Sequence, residues 1–171
     1  MQTTKAFENY PFRIVFISNM VSLGIYGLGF FIVFRLGLIA AVAYLAYVMI
    51  FEYRLIRYHC TRCYYWGKVC GFGRGKLSSW LFKKGDVSKF CASQITWKEM
   101  IPDMLITLVP VTIGIVMMII RFDALILSAL VIIILLTTAG NGYIRGTLTC
   151  SHCKQRELGC PAAMLFNKKT I

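Results

Sequence analysis

Apolar positions fall into four long runs, and polar positions gather between them. The runs cover residues 14–34, 36–51, 104–120 and 124–139. None alternates as a half-buried strand would, and none carries the polar stripe of a soluble amphipathic helix. A bilayer core needs about 20 apolar residues per helix, with about 17 as the lower limit. The first run meets that length alone. The others reach it with Tyr53, Arg54, Asp103 and Asn141, which can sit at the interface or snorkel to it. The pattern therefore predicts four transmembrane helices in preference to a soluble helical bundle.

Short breaks pair the runs. Arg35 interrupts the first two, and Arg121, Phe122 and Asp123 interrupt the last two. Connections this short force antiparallel neighbours. The expectation is an all-α integral membrane protein with hairpins at about 14–56 and about 103–140. Small residues suit close helix packing in lipid: Gly24, Gly27 and Gly29 in the first run, Ala40, Ala43 and Ala46 in the second. Pro110 and Gly114 predict a bend in the third helix, with packing as their main role.

Composition agrees. The 171 residues are 58% hydrophobic with mean hydropathy +0.67, too apolar for an ordinary soluble domain. Lys5 and Arg13 precede the first run as in a signal peptide, but no small-residue cleavage site follows, so the run reads as a retained signal anchor.

Charge sets the expected orientation. Of 19 Lys and Arg, only Arg35 and Arg121 lie at the hairpin tips. Basic residues favour the cytoplasmic side, so the N-terminus, central loop and C-terminus should all be cytoplasmic, in a cell (inner or plasma) membrane. The net charge of +12 then needs no nucleic acid. Anionic lipid headgroups attract basic residues by about 1 kcal/mol each near the surface, and a protein partner could dock on the same basic face.

The two halves share more than their hairpins, as in a tandem duplication. Glu8-x-x-Pro11 precedes the first and Glu99-x-x-Pro102 the second, with each Pro expected in a first helical turn. Tyr53 and Tyr143 each lie seven residues before a C-x2-C-x6-C triplet. The triplets are Cys60, Cys63, Cys70 and Cys150, Cys153, Cys160, 90 residues apart. Leu81-Phe82-Lys83-Lys84 has a counterpart in Leu165-Phe166-Asn167-Lys168-Lys169. The domains are then a repeat over 1–90, with its cysteine module at 60–70 and a basic interfacial segment at 76–90, and a repeat over 91–171, with its module at 150–160 and a short basic tail. Each half crosses twice. The repeats are therefore parallel, related by a pseudo-twofold along the membrane normal, and both triplets fall on one face.

On a reducing cytoplasmic face these cysteines are expected as thiols or thiolates. C-x2-C places two sulfurs on one ion from a tight turn, which makes all six candidate metal ligands. Zinc is one cofactor, with His59 or His152 completing a site. An iron–sulfur cluster is the other, with neighbouring glycines and backbone N–H groups serving its sulfurs. The triplets could hold two sites or share one four-thiolate site. Cys91 stands outside the repeat, as a small filler or an extra ligand. Redox dithiols usually sit beside a βαβ pattern, which the sequence lacks, and haem attachment needs C-x-x-C-H, whereas Tyr64 and Lys154 follow the two motifs.

Three further features complete the reading. Tyr64, Tyr65 and Trp66 read as an interfacial belt, or else as a shield for a cluster. Gly71–Lys76 reads G-F-G-R-G-K, without the Ser/Thr or the preceding strand of a phosphate loop. Residues 79–84 place Trp80, Leu81 and Phe82 before two lysines, as in a segment lying in the headgroup plane. The seven acids form no catalytic pair and none lies in a membrane centre, which counts against an enzyme and against an ion pathway. The functional expectation is an accessory or electron-transfer membrane subunit with a Cys-ligated iron–sulfur or zinc centre. A zinc-stabilised interaction module comes second, and a thiol oxidoreductase or metal-handling protein third.

Overall fold

The computed structural model describes residues 6–92 and 97–160, with no side-chain placement at 89 or 91–99. The Cys91 side chain, the Glu99 side chain and the tail with Leu165, Phe166, Lys168 and Lys169 lie outside the described residues. All regular structure among the described residues is helical. It comprises α1 (Phe12–Phe34), α2 (Leu38–Tyr58), α3 (Arg74–Leu81), α4 (Val87–Ala92), α5 (Trp97–Ile120), α6 (Ala124–Leu135) and a short α7 (Lys154–Glu157). Four helical stretches are long and apolar enough to cross a membrane: Phe12–Phe34, Leu38–Arg62, Met100–Ile120 and Ala124–His152.

Two boundaries differ from expectation. Pro102 lies inside α5, whose first residue is Trp97, so Pro102 is past the first turn. The fourth stretch runs beyond the apolar run at 124–139, through π-helical turns at Leu136–Gly140 and Ile144–Thr149. Thr137 and Thr138 hydroxyls donate back to the carbonyls of Ile133 and Ile134, competing with the α ladder where it widens.

The chain divides into two compact units. The first, here the cysteine unit, comprises Met1–Asn19, Tyr53–Thr96 and Tyr143–Ile171. The second, the hairpin unit, comprises Met20–Glu52 and Trp97–Gly142.

Within the hairpin unit, Ile32, Ile126, Ala129 and Leu130 form one buried cluster, and Val33, Tyr44, Val48 and Ile106 another. Proline chemistry explains the second. Pro110 has no N–H, so the carbonyl four residues back, that of Ile106, loses its helical partner. The buried Tyr44 hydroxyl donates to that carbonyl at 3.0 Å, which a water-free bilayer would require. Gly29 makes room for this contact, since a Cβ there would lie 2.2 Å from the Tyr44 hydroxyl. Gly114 has a packing role, as a Cβ would lie 2.7 Å from Leu130. At the hairpin tips, Asp123 caps α6 by accepting from the N–H of Leu125 and also pairs with Arg35 at 2.5 Å. Two of the residues that break the apolar pattern thus tie one hairpin tip to the other.

Candidate cysteine site

Both C-x2-C motifs adopt the same turn. Cys60–Arg62 and Cys150–His152 are single 3-10 turns. Each ends on its second cysteine, with Cys63 at φ −84°, ψ 152° and Cys153 at φ −87°, ψ 118°. In each, the second cysteine's N–H donates to the first cysteine's carbonyl, at 3.3 Å and 3.4 Å. The chain leaving each turn points its N–H groups back at sulfur. The Tyr65 N–H lies near Cys63, and those of Gln155 and Arg156 near Cys153, where they favour the thiolate; the Arg156 N–H also donates to the Cys153 carbonyl at 3.0 Å. The Gly75 N–H donates to the Cys70 Sγ at 3.3 Å. Donors aimed at sulfur favour its ionised form.

The N-terminal segment lies between the two motifs and joins them. Phe7 donates its N–H to the His152 carbonyl at 3.0 Å and forms a single parallel bridge with Cys153. Tyr10 donates its N–H to the Val69 carbonyl at 2.9 Å and its hydroxyl to the Thr149 carbonyl at 2.6 Å. Tyr65, 1% exposed, donates its hydroxyl to the Phe7 carbonyl at 2.7 Å and accepts from the Lys154 N–H at 3.0 Å. The buried Gln155 side chain accepts from the Tyr64 N–H at 2.7 Å. Tyr65 is therefore no interfacial belt residue. Its ring is covered because its hydroxyl finds two backbone partners inside the unit.

Glu8 closes the arrangement. Its carboxylate accepts from Lys68 at 2.8 Å, from the Tyr64 hydroxyl at 2.6 Å and from Lys154. Lys154, then Lys68 and Tyr64, hold the carboxyl down at about 2. One carboxylate thus spans lysines of both cysteine modules, and the lysines in turn titrate higher because of it.

None of the six triplet cysteines is in a disulfide. Burial pushes Cys63 up to about 12, and the nearby thiols of Cys153, Cys70 and Cys160 push the same way. Burial also raises Cys153, with Cys150 and Cys160 adding to it. Tyr10 and Tyr65 rise through burial and through the same thiols. Sulfurs of both triplets therefore share one electrostatic neighbourhood. Among the described residues, no three Cys, His, Asp or Glu side chains are arranged to hold a metal ion as they stand. The sulfurs would have to draw together to hold one.

The histidines have other contacts. His152 stacks on Phe7 at 4.9 Å and its Nδ1 lies 2.9 Å from the Ser151 hydroxyl. His59 meets the Phe90 ring edge-on at 6.3 Å. Sequence reasoning missed Tyr10 and Gln155. Nothing in their spacing marks them, because their roles depend on chain segments 139 and 91 residues away. No family model, curated protein or solved structure matches the chain.

Proposed function

We propose that the chain carries a cysteine-ligated metal centre on the cytoplasmic face of a cell membrane, and serves there as an accessory or electron-transfer subunit. The ligands would come from Cys60, Cys63, Cys70, Cys150, Cys153 and Cys160. What supports this is the pair of matching C-x2-C turns in one unit, each with backbone N–H groups beside its second cysteine. The matched turns also support descent of the halves from one duplicated unit. A bound cation would offset the burial that keeps Cys63 and Cys153 protonated, so loading would release protons. Cys63 and Cys153, raised by burial, would be poor nucleophiles, which disfavours a thiol oxidoreductase built on them. An iron–sulfur centre would supply one-electron transfer, with the N–H donors tuning its potential.

A zinc-stapled structural module is the second reading. The observation favouring it is the small apolar core of the cysteine unit, in which Tyr10, Ile56, Tyr65 and Ile144 are the buried hydrophobic residues among those described. A structural zinc site can contribute about 10–16 kcal/mol to folding. Metal and acid-labile sulfide analysis of anaerobically purified protein, with a visible spectrum, separates the two. Iron, sulfide and broad visible absorbance support electron transfer. Stoichiometric zinc in colourless protein supports the structural module.

A further inference from the structure

Helix α3 packs one face and exposes the other. Its inner face is set by Gly75 and Ser78, both buried. A Cβ at Gly75 would lie 2.2 Å from the Tyr65 carbonyl oxygen and 2.6 Å from that of Lys68, so the helix lies directly on the first cysteine module. Leu77, Trp80 and Leu81 share the opposite face at i, i+3 and i+4, and are 43%, 78% and 58% exposed. An uncovered Trp flanked by two leucines is an apolar face that water does not favour.

Both ends of α3 rest on helices long enough to span a membrane. At its start, a Cβ on Gly73 would meet Val15 of α1 at 3.2 Å, and Asn19 of α1 donates to the Phe72 carbonyl at 3.3 Å. Just past its end, Phe82 packs edge-on against Tyr53 of α2 at 5.6 Å. Phe82, which the sequence sets beside Trp80 and Leu81, thus faces α2 and not their side of α3. Leu77 takes its place. Beside that face lies a shallow, open cavity of about 410 Å³, lined by Trp66, Ser79, Trp80, Phe82, Lys83 and Lys84 among others. The Ser79 hydroxyl donates to the Lys76 carbonyl and the Trp66 indole to the Phe82 carbonyl, which leaves Lys83 and Lys84 as the groups that can receive a lipid phosphate next to its acyl chains.

We infer that α3 is an interfacial anchor: Leu77, Trp80 and Leu81 enter the headgroup region, and the adjoining cup takes the phosphate of an anionic lipid between Lys83 and Lys84. The occupant is the bilayer surface itself. The contacts of α3 with α1 and α2 hold it against the stems of the spanning helices, and its basic rim selects anionic lipid. The cysteine module above it would thereby be fixed at the membrane surface, whatever metal it holds.

The test uses the full chain with Trp66→Phe and Trp97→Phe, leaving Trp80 as the sole tryptophan, excited selectively over the tyrosines. It is reconstituted in dioleoylphosphatidylcholine vesicles with and without dioleoylphosphatidylglycerol, doped with phosphatidylcholine brominated near the glycerol. Blue-shifted Trp80 emission, quenched by the bromolipid and more strongly with phosphatidylglycerol present, is expected. Neutralisation by Lys83→Gln and Lys84→Gln should weaken the anionic-lipid dependence by about fivefold per residue. Emission at the water wavelength, quenched by iodide and indifferent to bromolipid, would overturn the anchor. Trp80 shielded from both quenchers would also overturn it, since that points to a protein partner. If the double Trp variant misfolds, cysteine-free spin labelling at Leu77 with relaxation by lipid-soluble oxygen gives the same decision.

Discussion

The Lys154 N–H donates to the Tyr65 hydroxyl at 3.0 Å, and through that bond the turn after the second C-x2-C is held on the turn after the first. The same hydroxyl donates to the Phe7 carbonyl, so one phenol serves three chain segments. Tyr65→Phe keeps the buried ring and leaves a backbone donor and acceptor unpaired. The expected cost is about 1–3 kcal/mol. Thermal unfolding in detergent, followed by near-ultraviolet circular dichroism, checks it. An unchanged midpoint would mean that water replaces the hydroxyl.

Glu8 gives the cysteine unit an acid limit. Its carboxyl is depressed from 4.5 to about 2 by Lys154, Lys68 and Tyr64. A depressed carboxylate stabilises the folded state above its unfolded pKa and loses that contribution as pH falls through the folded one. The stabilisation is therefore complete above about 4.5 and lost by about 2. Glu8→Gln should lower stability at neutral pH and flatten its pH dependence inside that window. Parallel acid titrations of both proteins, read by intrinsic fluorescence, test this. Curves of identical shape would remove Glu8 as the latch.

Tyr44 and Pro110 form a compensating pair around the Ile106 carbonyl. Tyr44→Phe should destabilise the hairpin unit by about 0.6–1.7 kcal/mol, the range of such bonds in membrane helices. Pro110→Ala restores an N–H for that carbonyl, so Tyr44→Phe should cost less in its presence. A double-mutant cycle on unfolding in mixed micelles measures the coupling. Additive effects would show that the two residues act separately.

Gly75 is where α3 touches the first cysteine module, and its N–H serves the Cys70 sulfur. A methyl group has no space there, so Gly75→Ala must displace the helix, at about 1–3 kcal/mol for overpacking. Alkylation of Cys70 by a maleimide should then quicken relative to wild type. An unchanged rate would mean that the helix moves without disturbing the cysteine.

The hairpins were legible because apolar run length is a direct demand of the bilayer and survives any detail of packing. Arg35 and Asp123 were legible as breaks, yet their pairing was not, because nothing in spacing says that two hairpin tips adjoin. The cysteine turns were legible as C-x2-C for a local reason: four residues fix the turn. The links between them were not. Tyr65 reads as a surface aromatic until Phe7 and Lys154 are placed around its hydroxyl, and Gln155 reads as a loop residue until the Tyr64 N–H meets it. The glycines of G-F-G-R-G-K looked like a weak phosphate loop. They serve instead a left-handed start to α3 at Gly73, φ 72°, and the close approach at Gly75.

X-ray absorption at the metal edge of anaerobically purified protein tests the thiolate centre most directly. The expected result is stoichiometric metal with a first shell dominated by sulfur at about 2.3 Å, diminished by Cys63→Ser or Cys153→Ser. A metal-free protein, or a first shell of oxygen and nitrogen unchanged by those substitutions, would contradict it.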